Sequence, residues 1–192
     1  MKKLLITGFE PFGGQTVNPS WEAVAQLPDI IGQWQLHKLR IPVEYGEAAR
    51  LTLEKAREMG AEAVISVGQA GGRSAVTPEV IGINLREAAI PDNAGRLCKG
   101  EPIEEGGPDG IFSTLPVREM AAAIGEKGIP AKLSYSAGAY VCNDVLYTLL
   151  RHFEGTAVRA GFIHVPFIPG QGEPNMALED IVTALTAAIG AL

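Results

Sequence analysis

A chain of 192 residues, 46% apolar and 20% charged, is long enough to bury a sizeable core and has the composition of an ordinary globular domain, so a single domain spanning 1–192 is expected. The net charge of −6 and the lack of clustered Lys and Arg argue against a nucleic-acid partner. No apolar run approaches the roughly 20 residues needed to cross a bilayer, and two cysteines without a secretory pattern point to a reducing, cytoplasmic setting.

In chain order, apolar runs predict strands at Leu4–Phe9, Leu36–Val43, Ala63–Val67, Val80–Leu85, Ala131–Tyr135 and Ala157–Val165. The first follows Met1-Lys2-Lys3, but Thr7, Gly8 and Glu10 end it too early for a signal peptide. Helical spacing occupies Pro19–Leu27, Glu44–Met59, Val117–Lys127, Cys142–Phe153 and Met176–Ala191. Strands alternating with helices imply a three-layer α/β fold, a twisted mixed or largely parallel sheet with helices on both faces. In such sheets, sites collect where strands end and loops begin. The Gly-rich loops 8–14 and 68–73 match neither the dinucleotide spacing nor a P-loop. Two cysteines and the histidines at 37, 152 and 164 lack paired ligand spacing, so no metal is expected.

The two thiols differ in setting. Cys98 stands between Leu97 and Lys99 in a polar stretch and is expected to be a spare surface thiol. Cys142 follows Ser136-Ala137-Gly138-Ala139-Tyr140-Val141 at the start of a helix, where unpaired N–H groups and the macrodipole favour thiolate and can face an oxyanion. A base must accompany it. His37 falls in an alternating strand pattern that turns it to solvent or a polar interface, and His152 suits a helix C-terminus. His164 ends the apolar run Ala160–Ile163, where a strand-end imidazole can reach a helix-start thiol. Among the acids, Glu79 stands at the entry to an apolar strand, a costly position without a partner, whereas Asp144 reads as a first-turn helix acid.

Taken together, Gly8–Gly14 with Asn18-Pro19-Ser20, Gly68-Gln69-Ala70-Gly71-Gly72-Arg73, Pro78-Glu79 with Ile83-Asn84, Pro91–Gly95, Ser113–Pro116, Val141-Cys142-Asn143 and His164–Phe167 resemble the pyrrolidone-carboxylate peptidases, or pyroglutamyl peptidase I. The resemblance implies a catalytic triad of Glu79, Cys142 and His164, a purine-nucleoside-phosphorylase-like fold, no cofactor and a homotetramer. It also implies N-pyroglutamyl peptides or amides as substrates. A flat lactam without an ammonium wants apolar faces and a few hydrogen bonds. By the same likeness Phe9 and Phe12 supply faces, the backbone near Ile90, Tyr140 and Val141 reads the lactam edge, and Asn18 and Gln69 help build the pocket.

One departure stands out: where the family carries an arginine just before the Ile-Pro-Asp-Asn block, this chain has Ala89. Arg86 and Arg73 are the candidates to replace its charge. Two other readings follow from a shared fold or a weakened site: a nucleoside phosphorylase or hydrolase, and a pyroglutamate-binding homologue without turnover.

Overall fold

The computed structural model describes residues 1–192. Its elements run β1 (Lys2–Phe9), α1 (Pro19–Gln26), β2 (Ile30–Ile31), β3 (Trp34–Ile41), α2 (Glu47–Met59), β4 (Ala63–Gln69), β5 (Thr77–Pro78), β6 (Ile81–Ile83), β7 (Arg86–Glu87), β8 (Lys99–Glu101), β9 (Gly110–Phe112), α3 (Val117–Gly125), α4 (Val141–His152), β10 (Arg159–Val165) and α5 (Leu178–Gly190). The main sheet has the order β2-β3-β1-β4-β10-β5. Its four central strands are parallel, and the short edges β2 and β5 are antiparallel. The expected mixed three-layer α/β fold is borne out.

The layering follows from side-chain alternation along the strands. Leu4, Ile6, Ile65, Val67, Ile163 and Val165 point to one face and share a core with α1, α3 and α5. Leu5, Phe9, Val64, Ala160 and Phe162 point to the other and pack with α2 and α4. Because both faces are covered, the strands read as continuous apolar runs rather than alternating ones.

Two predicted strands are corrected. Val80–Leu85 contributes only Ile81–Ile83, which leaves the main sheet to pair with β9. Ala131–Tyr135 forms no strand, making only single bridges at Val76↔Ala131 and Glu79↔Ser134. Instead the residues just before Val80 form the sheet edge, with Ile163 opposite Pro78 and His164 opposite Thr77. Proline is tolerated there because an edge strand leaves one side of its backbone unpaired. Cys98 is likewise corrected: it is fully buried in the core shared with α2 and α4, since the polar stretch around it folds back over Tyr45 and α4.

No helix is long and apolar enough to cross a membrane.

Candidate active site

Three parallel strands deliver their C-terminal ends to one place: β1 at Phe9, β4 at Gln69 and β10 at His164. In register, His164 lies beside Gly68 and Val165 beside Gln69. The N-terminus of α4 completes the cluster, with Cys142 as the second residue of the helix. Glycine is required at position 68: a Cβ there would lie 2.7 Å from the Phe162 ring and 2.9 Å from Cys142 Sγ. The sulfur therefore rests against the backbone of the residue paired with His164. Cys142 and His164 both line a cavity of about 250 Å³.

Behind His164, its Nδ1 meets Glu79 Oε1 at 2.7 Å. Glu79 is fully buried and its backbone is pinned on two sides. Its N–H donates to the Phe162 carbonyl of β10 at 2.9 Å, and the next N–H, of Val80, donates to Ser134 at 2.8 Å. Glu79 Oε1 also accepts from Arg73 Nη1 at 2.7 Å, while Oε2 is buried without a hydrogen-bond partner.

The electrostatics differ from the expectation for a helix-start thiol. Burial pushes the Cys142 thiol up to about 12, with the nearby Glu79 carboxylate adding to the rise; Arg73 and the Cys142 N–H oppose it. Burial also holds His164 below its ordinary value, against the pull of Glu79 in the other direction. Desolvation penalises both charged forms, and at Cys142 it outweighs Arg73 and the N–H contact that oppose it. Both shifts favour the uncharged forms of the two groups. The Glu79 carboxyl is held low: burial raises it, but His164, Ser134 and Arg73 together outweigh that effect.

The pocket walls are apolar and aromatic. Phe9, Phe12, Val43, Ala137 and Tyr140 line the cavity, with Asn18, Gln69 and Arg73 among its polar contributors. The Phe12 and Tyr140 rings sit 6.1 Å apart, and Tyr140 meets Tyr45 edge-on at 5.5 Å. The Tyr140 hydroxyl donates to the Pro91 carbonyl at 3.0 Å. Asn18 lines the cavity, but its side chain is engaged: Oδ1 accepts from the Ser20 N–H and hydroxyl, and Nδ2 donates to the Glu10 carbonyl. It caps α1 and sets the first loop.

Of the residues named from sequence, Phe9, Phe12, Asn18, Gln69, Tyr140, Cys142 and His164 meet around the cavity, and Glu79 stands directly behind His164. Two do not line it. The Val141 side chain is fully buried in the core, leaving only its backbone at the helix start. Ile90 is 45% exposed and is not among the residues that line the cavity; the carbonyl of the next residue, Pro91, accepts from the Tyr140 hydroxyl. Arg86 is committed elsewhere, pairing with Asp144 at 2.6 Å. Asp144, as expected of a first-turn acid, also accepts from the Gly46 N–H at 2.7 Å.

Sequence reasoning missed three supports. Asn143 clamps β6 to α4, accepting from the Ile83 N–H and donating to the Ile83 and Leu85 carbonyls. Asn93 ties the Pro91–Gly95 segment to the first loop by donating to Glu10 Oε1 and the Pro11 carbonyl. Gln171, in the loop before α5, donates to Gln69 Oε1 at 3.2 Å and to the Val17 carbonyl. Their partners are distant in the chain, so no local pattern announces them.

A family model described as pyroglutamyl peptidase (Peptidase_C15) matches residues 2–192. The pyrrolidone-carboxylate peptidase of Lactobacillus helveticus (strain DPC 4571) is 46% identical over 193 residues, covering 97% of this chain and 96% of the relative. That of Thermococcus onnurineus (strain NA1) is 47% identical over 188 residues, covering 95% and 94%. Among solved structures, pyroglutamyl peptidase I of Bacillus amyloliquefaciens superposes with a TM-score of 0.96 at 40% identity, covering 100% of this chain and 96% of that one. The pyrrolidone carboxyl peptidase of Thermococcus litoralis gives 0.94 at 38% identity, covering 100% and 93%.

Proposed function

Because the chain belongs to the pyroglutamyl peptidase family, and is thereby a peptidase, we propose that it is a cysteine-type omega peptidase that hydrolyses the amide bond after an N-terminal 5-oxoproline residue. Cys142 is the nucleophile, His164 the general base and acid, and Glu79 the residue that orients the imidazole. The observation that carries this reading is the 2.7 Å contact between Glu79 and His164, made behind a cavity that His164 shares with Cys142.

Burial that favours the uncharged thiol and imidazole suits a proton transfer made as substrate is attacked. His164 takes the Cys142 proton as the sulfur adds to the pyroglutamyl carbonyl, so the charged pair exists only once substrate has displaced water. Glu79, accepting from Nδ1–H, leaves Nε2 as the basic nitrogen and supports the imidazolium. The N–H groups of the first turn of α4 face the developing oxyanion. His164 then returns the proton to the leaving amine. Water, activated by the same imidazole, opens the thioester and releases pyroglutamate.

Aromatic walls suit a planar lactam that carries no ammonium. Phe9, Phe12 and Tyr140 flank the ring, Gln69 supplies an amide near the thiol, and the backbone at Tyr140 and Val141 hydrogen-bonds the lactam edge. Residues 1–192 act as one peptidase unit, cytoplasmic and assembled as a homo-oligomer of the tetrameric kind that the sequence resemblance implies.

A pyroglutamyl aminomethylcoumarin assay beside its prolyl analogue, with and without iodoacetamide, tests the reading. Hydrolysis of the first only, abolished by alkylation, is the expected result. Turnover indifferent to alkylation, or dependent on phosphate, would overturn it.

A further inference from the structure

Glu79, whose carboxyl is held low, has no exposed surface and lies against an imidazole whose charged form burial disfavours. A buried charge in that setting needs a counter-charge, because a neutral hydrogen-bond partner does not repay the loss of hydration. Arg73 supplies one. Its Nη1 donates to Glu79 Oε1 at 2.7 Å, the same oxygen that meets His164 Nδ1. The guanidinium is fixed in place by two further contacts, Nη1 to the Thr77 hydroxyl at 2.6 Å and Nη2 to the Ser136 carbonyl at 3.0 Å. Thr77 belongs to β5, opposite His164, and Ser136 lies in the segment leading to α4. One side chain thus ties together the strand that carries the carboxylate, the approach to the thiol helix and the carboxylate itself.

We propose that Arg73 is a positioning residue that sets the protonation state of His164 through Glu79, keeping the imidazole unprotonated and ready to accept the Cys142 proton. The proposal rests on the triad reading above. It differs from replacement of the absent family arginine: at Ala89 that charge would act on the sulfur or oxyanion, whereas Arg73 acts from the far side of the imidazole. With Arg73 present, Glu79 has a permanent partner and does not require an imidazolium. With Arg73 removed, His164⁺ becomes the only cation that can pair with Glu79, and the imidazole holds its proton to higher pH than before. The charged and titratable groups that act on His164 are Glu79, which favours imidazolium, and Arg73, which disfavours it. Cys142 shares its cavity, and burial favours its uncharged thiol.

The experiment compares Arg73→Gln, Arg73→Lys and the unaltered enzyme. His164 is titrated by NMR of labelled imidazole without substrate, and kcat/KM for a pyroglutamyl amide is followed against pH. Arg73→Gln is expected to move the His164 titration and the acid limb upward together by about one pH unit, the scale of a nearby like charge removed. Arg73→Lys, which keeps the charge but loses the fork, is expected to leave both near their original pH while lowering kcat. If both variants lose rate with the titration unmoved, or if the Gln variant titrates lower, the proposal fails and Arg73 is only a brace. The substrate-free titration separates this from the functional reading, which fails if the unaltered enzyme does not cleave the amide. Should the Gln variant not fold, Arg73→Met, which removes the charge and keeps most of the side-chain volume, takes its place, and the same upward displacement of the His164 titration is required of it.

Discussion

Cys142 and Cys98 show how little a residue's immediate neighbours say about its chemistry. Both thiols are pushed upward by burial, yet only Cys142 shares a cavity with an imidazole. Cys142→Ala is expected to abolish dye release from a pyroglutamyl amide, whereas Cys98→Ser keeps turnover and loses stability. The hydroxyl it would bury in an apolar cluster costs about 1–3 kcal/mol, measurable as a lower midpoint in urea. Loss of turnover in both variants to the same extent would contradict the assignment of the nucleophile. Glu79→Gln keeps the shape but loses the charge, and a fall in kcat of roughly 10²-fold or more is expected from the wrong imidazole tautomer. Cys142 and His164 were legible because each sits at an element boundary next to an apolar run. The state of the thiol was not, since helix position favours thiolate while burial, which prevails here, depends on residues far along the chain.

Elements meet closely at two glycines beside the site, and substitution there should separate packing from chemistry. Gly68→Ala places a methyl group against the Phe162 ring and Cys142 Sγ, so the thiol must move. Activity is expected to fall by about 10²-fold, the scale for a displacement of about 1 Å at a reacting group. Gly71→Ala would meet the Phe167 ring at 2.3 Å, disturbing the seat of the loop that carries Gln171. By contrast, a Cβ at Gly125, at the end of α3, meets nothing within 4 Å and φ there is not positive. Gly125→Ala is therefore expected to stabilise the fold by about 0.5–1 kcal/mol, with activity unchanged. If thermal unfolding shows no gain at Gly125 while Gly68→Ala retains full turnover, the packing argument is wrong at both ends. The five helices and the central strands were readable from periodicity and apolar runs. The β5 edge was not, because Thr77-Pro78 is too short to carry a period and takes its place only by pairing with β10.

Across the whole molecule, the buried Glu79–His164 pair couples folding to pH. His164 titrates below its ordinary value of 6.5 in the folded state, so the unfolded chain binds its proton more readily and stability falls as pH drops through 6.5 towards the folded value. Glu79, also depressed from 4.5, adds a second loss as pH falls below that value; its contribution is complete above it. Unfolding midpoints should be level above neutrality and decline below about pH 6.5. In His164→Asn the first part of that decline should disappear, and an unaltered profile would show that the histidine does not carry it. The sequence by itself determined the layered α/β class, the order of helices and central strands, and the thiol and imidazole at element boundaries, because periodicity and chain breaks are local properties. The tertiary structure alone decided that burial works against the thiolate, that Cys98 is core, that the Ile90 side chain does not line the cavity, and that Arg73 pairs with Glu79 while Arg86 pairs with Asp144. Burial and charge pairing depend on what arrives from elsewhere in the chain, and that is known only once the strands have taken their places in the sheet.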